Sequence, residues 1–126
     1  SMTAFLPSVF ICFYLFFLSY ILKIAYKEIH EYKDGVALTV EENYMVPSLE
    51  NGIVVYIGEK EEYGQTIIIE QENGIDVFYS NVTTNDINLY DYVKKGDYIA
   101  QAKTNKLYLI FHWSSYIPPK KESGDI

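Results

Sequence analysis

With 126 residues the chain has room for one domain. Its net charge of −7, the absence of arginine and the scatter of lysines among acidic residues leave no basic patch to neutralise phosphates, which argues against a nucleic-acid partner. The single cysteine, Cys12, excludes an intrachain disulfide and leaves the redox compartment open.

From Met2 to Leu22 no residue is charged, and Phe5, Phe10, Phe13, Phe16 and Phe17 are spread around any helix built on the run. A helix apolar on all faces lies in lipid or in a large core, and about a hundred remaining residues cannot supply such a core. Residues 1–24 are therefore expected to form an apolar helix acting as a transmembrane or signal-anchor segment. A cleaved signal peptide fits less well, because no basic stretch precedes the run and no small-x-small site follows it. A buried element of the domain is the other alternative. Lys23, Lys27 and Lys33 follow the run and none precedes it, a bias that by itself would hold the C-terminal part in the cytoplasm.

Residues 25–34 (AYKEIHEYKD) are expected as a juxtamembrane linker, with a first strand as the open alternative, since Tyr26, Glu28, His30 and Tyr32 share a face at period two. Gly35 to Val40 (GVALTV) reads as a strand. Between Asn51 and Gln101, β-branched runs at 53–57, 66–69, 77–79 and 98–100 alternate with Gly-centred turns, the pattern of a β meander. Asn73-Gly74 predicts a two-residue hairpin turn pairing 67–70 with 76–80. Val93-Lys94-Lys95-Gly96-Asp97 places a charged turn before the strand at Tyr98. After Trp113 periodicity is lost, and Pro118-Pro119 with the polar close predicts a flexible tail over 114–126.

The order G-x-V-x-x-x-G, Y-G-x-x-I-I-I, N-G, F-Y and V-x-x-G-D-x-I resembles the LytM-type peptidoglycan endopeptidases of metallopeptidase family M23. Within that family the chain is most similar to the degenerate, membrane-anchored sporulation members of the stage IV FA type. GEKEEYGQTIIIEQENG followed by INLYDYVKKGD carries most of the likeness. The resemblance implies an all-β fold, a small barrel-sandwich domain of the duplicated hybrid motif type over residues 35–113.

It also implies a way to weigh catalysis. Such peptidases hold zinc through two His and one Asp, with a further His assisting a metal-bound water, because hydrolysis without a protein nucleophile needs a Lewis acid. Matching H-x-G-x-D on Gly35 puts Lys33 and Ala37 at the first two ligand positions. Matching the final H-x-H puts Tyr108 and Ile110 there, and the His of Y-x-H becomes Asn81. Lys33, Ala37, Asn81, Tyr108 and Ile110 cannot ligate zinc as a set, so no catalytic residue, metal or other cofactor is expected. Instead, these five are the candidate lining of a binding groove. His30 and His112 read as structural or solvated, as do the loop charges Glu61, Glu62, Asp91 and Lys94.

Aromatic residues make up 17% of the chain, with 13 tyrosines. Tyr56, Tyr63, Tyr79, Tyr90, Tyr92, Tyr98, Tyr108 and Trp113 either fit half-buried strand faces or anchor a partner. The expected function is thus a non-enzymatic, membrane-tethered module that regulates or scaffolds by binding. Its implied partners are the membrane, a protein such as a membrane protease or another LytM-like domain, and peptidoglycan. The family likeness places the β domain outside the cytoplasm, against the lysine bias. A biotinyl, lipoyl or membrane-fusion barrel-sandwich module is the second reading, weakened because the hairpin tip at Asn73-Gly74 carries no lysine. An active cell-wall endopeptidase is the third.

Overall fold

The computed structural model describes residues 24–84 and 86–114. The expected membrane segment therefore lies outside the described residues, apart from Ile24, and so does the expected tail, apart from Ser114. Among the described residues no helix is long and apolar enough to cross a membrane.

Ten strands and no helix make up the described fold: β1 Glu28–Tyr32, β2 Gly35–Thr39, β3 Met45–Pro47, β4 Gly52–Lys60, β5 Gly64–Gln71, β6 Ile75–Ser80, β7 Val82–Thr83, β8 Tyr92–Val93, β9 Tyr98–Ala102 and β10 Lys106–Trp113. Seven of them form one sheet in the order β1-β2-β10-β6-β5-β4-β8, and β3-β9-β7 form a second. All pairings are antiparallel.

Period-two alternation decides which face of the large sheet is dry. Val36 and Leu38 on β2, Leu107, Leu109 and Phe111 on β10, Val77 and Tyr79 on β6, and Ile67 and Ile69 on β5 point to one side and are buried. There they meet Val46, Val82, Ile99, Ala100 and Ala102 of the small sheet in a single cluster. Each fully buried aliphatic side chain contributes roughly 1.5–3 kcal/mol. Tyr79 is wholly buried, and its hydroxyl accepts a hydrogen bond from the Leu49 N–H at 2.9 Å, satisfying a backbone donor inside the core.

The structure decides one open alternative and corrects two boundaries. The linker 25–34 contains β1, which pairs with β2 from Glu28↔Thr39 to Tyr32↔Gly35. The ladder with β2 supplies the backbone partners that a solvated linker would take from water. Ile24, assigned by sequence to the membrane segment, is buried in the core, and Ser114, assigned to the tail, is tied to the hairpin by a bond from its N–H to the Gly74 carbonyl at 2.8 Å.

The hairpin itself pairs Ile67 with Tyr79 and Glu70 with Asp76, as the sequence indicates, but its loop is Glu72, Asn73 and Gly74 rather than two residues. Gly74 has φ 88°, and its N–H bonds to the Gln71 carbonyl at 3.0 Å. The Asn73 Oδ1 is used as an acceptor by the Ile75 N–H and the Gln71 Nε2, each at 3.1 Å. A three-residue loop closed by a glycine in the left-handed region satisfies these groups with only one positive φ in the turn.

Candidate functional site

The outer face of the large sheet carries the side chains opposite to the core. Registers place Ala37, Tyr108 and Ser80 in one row across β2, β10 and β6, and Gly35, Ile110 and Phe78 in the next. Gly35 is required there, because a Cβ would lie 1.8 Å from the Leu109 carbonyl oxygen and 2.7 Å from the Ile110 Cα. On β1, Tyr32 pairs with Gly35 and so extends the same face.

Over these rows lies a chain of ring contacts. Tyr32 stacks on Tyr108 with centroids 4.6 Å apart, and the Tyr63 ring meets Tyr32 edge-on at 6.4 Å. Tyr63 then meets Phe78 at 6.0 Å, and Phe78 meets His112 at 5.1 Å. Offset and edge-to-face arrangements of this kind add roughly 0.5–1.5 kcal/mol each beyond the area they bury. Two ammonium groups sit over the rings: Lys33 Nζ at 5.1 Å from Tyr63 and 5.6 Å from Tyr32, and Lys60 Nζ at 4.4 Å from Tyr56.

The five candidate residues fall around this face, but in different states. Ala37 and Tyr108 are register partners, and Lys33 caps the rings from the β1–β2 turn, where it takes φ 50°. Ile110 is fully buried between Gly35 and Phe78, so its side chain offers nothing to a ligand. Asn81 sits at φ 66°, and its side chain is committed to the connection between β9 and β10. Its Nδ2 donates to Thr104 Oγ1 and to the Lys106 carbonyl, both at 2.8 Å. Sequence reasoning missed Tyr32, Phe78, Lys60 and His112 as neighbours of this face. The period-two face of 25–34 was the available signal for Tyr32.

The polar groups here are few. His112 Nε2 lies 3.0 Å from Asp34 Oδ2, bridging the end of β10 to the β1–β2 turn. Burial pushes the Tyr63 hydroxyl above its usual pKa, with Glu62, Asp34 and Tyr32 adding to the rise. Burial, reinforced by Glu70, also raises the Asp76 carboxyl, while His112 and Ser114 pull it back down. Thr66 and Ser80 share a buried hydroxyl–hydroxyl bond of 2.9 Å. As potential metal donors, Asp34 and His112 are a two-residue set already paired to each other. Among the described residues no group of three or more His, Cys, Asp or Glu side chains is placed to hold a metal ion.

Two antiparallel sheets around one core, with β2, β10 and β6 crossing the outer face where the family pattern expects its groove, here called the groove face, define an all-β domain of the LytM type. The sequence profile of Peptidase family M23 matches residues 31–115, so the chain belongs to that family. A comparison with the sequences of characterised proteins returned no match.

Among solved structures, the chain is similar to the catalytic domain of the antimicrobial peptidase lysostaphin from Staphylococcus simulans, with TM-score 0.59 and 20% identity over 67% of this chain and 69% of that one. It is similar to LytU, with TM-score 0.59 and 19% identity over 74% of each chain. It also resembles Helicobacter pylori Csd3, with TM-score 0.59 and 22% identity over 71% of this chain. The match spans 26% of Csd3 and 38% of full-length lysostaphin, so it covers one domain of those longer proteins. At these identities the likeness establishes the fold.

Proposed function

We propose that this chain is a non-catalytic, membrane-tethered M23 domain that works by binding, as a regulator or scaffold for a protein partner. The observation that carries the reading is the chemistry at the positions where the family pattern expects zinc ligands. Lys33 has its ammonium group over tyrosine rings, Ala37 offers a methyl group, Tyr108 is stacked on Tyr32, and Ile110 is buried. Asn81, at the assisting-histidine position, has its amide nitrogen bonded to Thr104 and Lys106. That donor set does not fit zinc, which takes imidazole, thiolate or carboxylate ligands, and no hydrolytic step is derived through it.

The finer likeness, to sporulation proteins of the stage IV FA type, points to control of an intramembrane metalloprotease. In this reading residues 1–24 anchor the chain and the β domain lies outside the cytoplasm. The groove face would then present aromatic and ammonium groups to a polypeptide, with peptidoglycan as the competing ligand.

Metal content and activity test the core of the proposal together. Elemental analysis of the purified chain is expected to find zinc well below one equivalent, and isolated cell walls are expected to remain intact. Stoichiometric zinc together with wall hydrolysis would reverse the reading. Crosslinking of the membrane-bound form, followed by mass spectrometry, is expected to join the domain to a membrane protein. Protease accessibility in intact cells against permeabilised cells reports the side of the membrane.

A further inference from the structure

Away from the groove face, an open trough of about 490 Å³ runs between β8 and the small sheet, lined among others by Met45, Asp86, Asp91, Tyr92, Asp97 and Tyr98. We propose that this trough is a docking site for an extended, lysine- or arginine-bearing segment of a partner protein. The proposal does not rest on the domain being non-catalytic, because none of the trough residues belongs to the groove face.

The trough gathers side chains that folding did not cover. Met45, Tyr92 and Tyr98 are exposed within it, Tyr98 at 69%. Leu89 and Tyr90, on the turn leading into Asp91, are exposed beside it. Tyr90 is 73% exposed although its backbone sits at φ 73°, a conformation that costs a residue with a Cβ roughly 1–2 kcal/mol. Bonds from the Tyr90 N–H to the Val54 carbonyl at 2.7 Å and from the Asp91 N–H to the Asn88 carbonyl at 3.1 Å hold the turn in that shape. Exposed tyrosines suit a binding anchor, because a side chain with two rotatable bonds loses little rotamer entropy when it is covered.

Charge selects the occupant. Every charged side chain lining the trough is an aspartate: Asp86, Asp91 and Asp97. Two are fixed by backbone donors, Asp91 Oδ2 by the Asn88 N–H at 2.8 Å and Asp97 Oδ2 by the Lys94 N–H at 2.9 Å. Lys94 and Lys95 of the same turn are not among the lining residues, so a ligand inside the trough faces the carboxylates. The carboxylates do not form a metal-holding group, so the complementary cation is an ammonium or guanidinium group, which Tyr92 and Tyr98 can also receive on their ring faces. The trough is open along its length, which suits a chain rather than a compact ligand. One wall is β8, the two-residue last strand of the seven-stranded sheet, whose outer edge has no strand beside it among the described residues. An extended segment could add there by backbone pairing while its cations meet the aspartates.

The test uses the full chain in a mild nonionic detergent and a fluorescent peptide alternating valine with lysine, followed by anisotropy at low and high salt. The same peptide with glutamate in place of lysine is the control. Binding of the lysine peptide alone, weakened by salt, is expected. Asp86→Lys is chosen because Asp86 holds no turn, and it should weaken binding about tenfold, while Tyr98→Ala should weaken it several-fold. Glu28→Lys makes the same charge change on β1 and should leave affinity within about twofold. Melting curves by circular dichroism check that each variant is folded. Equal losses for Asp86→Lys and Glu28→Lys would overturn the proposal by showing attraction to net charge alone. So would a dimer, seen by sedimentation, that Asp86→Lys dissociates, since the trough would then receive a second copy of this chain.

Discussion

On the outer face of the large sheet Tyr32, Tyr63, Tyr108 and Phe78 turn their rings toward one another, whereas at the trough Tyr90, Tyr92 and Tyr98 leave theirs in solvent. The first set cements strands: Tyr32 on β1 is stacked on Tyr108 two strands away, so the cluster ties the edge of the sheet to its middle. The second set makes no ring-to-ring contact among the described residues, and its tie to the rest of the fold is the Tyr92 hydroxyl donating to Glu72 Oε2 at 3.1 Å. Tyrosine content alone does not distinguish a structural aromatic from a displayed one. What distinguishes them is whether a neighbouring strand brings a second ring within reach.

The comparison breaks most completely if the frame under the groove face is broken. Gly35→Ala would push a methyl group into the β10 backbone, and is expected to cost ~3 kcal/mol or more, with loss of cooperative thermal unfolding and of both surfaces. A near-normal melt would show that β2 and β10 can separate without harm.

Tyr79→Phe keeps the ring but leaves the buried Leu49 N–H without its partner. About 1–3 kcal/mol should be lost in chemical denaturation, with an unchanged slope.

Next comes the contrast between the two aromatic sets. Tyr108→Ala should cost about 1–2 kcal/mol because it removes the stacked contact with Tyr32, while Tyr98→Ala should stay within about 0.5 kcal/mol. Equal losses at the two positions would erase the distinction.

The smallest effect concerns Asp76, whose pKa is raised in the folded state. The folded form holds this proton more tightly than the unfolded chain, so the associated stability is complete below the ordinary value of 3.8 and is lost as pH rises through the folded pKa. Asp76→Asn should therefore gain in melting temperature relative to the parent as pH is raised from acid to neutral. An advantage that shrinks over that range would contradict the sign.

Much of the scaffold could be read in the amino-acid order. The expected strands at 53–57, 66–69, 77–79 and 98–100 lie inside β4, β5, β6 and β9, which extend past them by up to three residues at an end, and the one expected at 35–40 overruns β2 by Val40, because alternation and Gly-centred turns are local signals that fix the existence of a strand better than its ends. The turn before Tyr98 is also as expected, with Gly96 at φ 91° and the Asp97 N–H bonded to the Lys94 carbonyl. β1 was ambiguous because four of its five residues are exposed, so it has no dry face to announce it. Its place in the sheet comes from pairing with β2, which follows directly after the turn at Lys33 and Asp34.

The candidate site divides the same way. The residue types at Lys33, Ala37, Asn81, Tyr108 and Ile110 follow from the sequence and its family pattern, and with them the question of whether zinc has ligands there. That Ile110 is sealed, that the Asn81 amide is consumed by Thr104 and Lys106, and that Tyr63 reaches across to Tyr32 and Phe78 depend on strand register and on how long side chains cross a sheet. The amino-acid order determined a β scaffold of the M23 family and the chemistry available on it, since hydrophobic periodicity and side-chain identity are carried one residue at a time. Only the tertiary structure decided which tyrosines hold the sheet together and which are offered outward, because that depends on contacts between strands far apart in the chain.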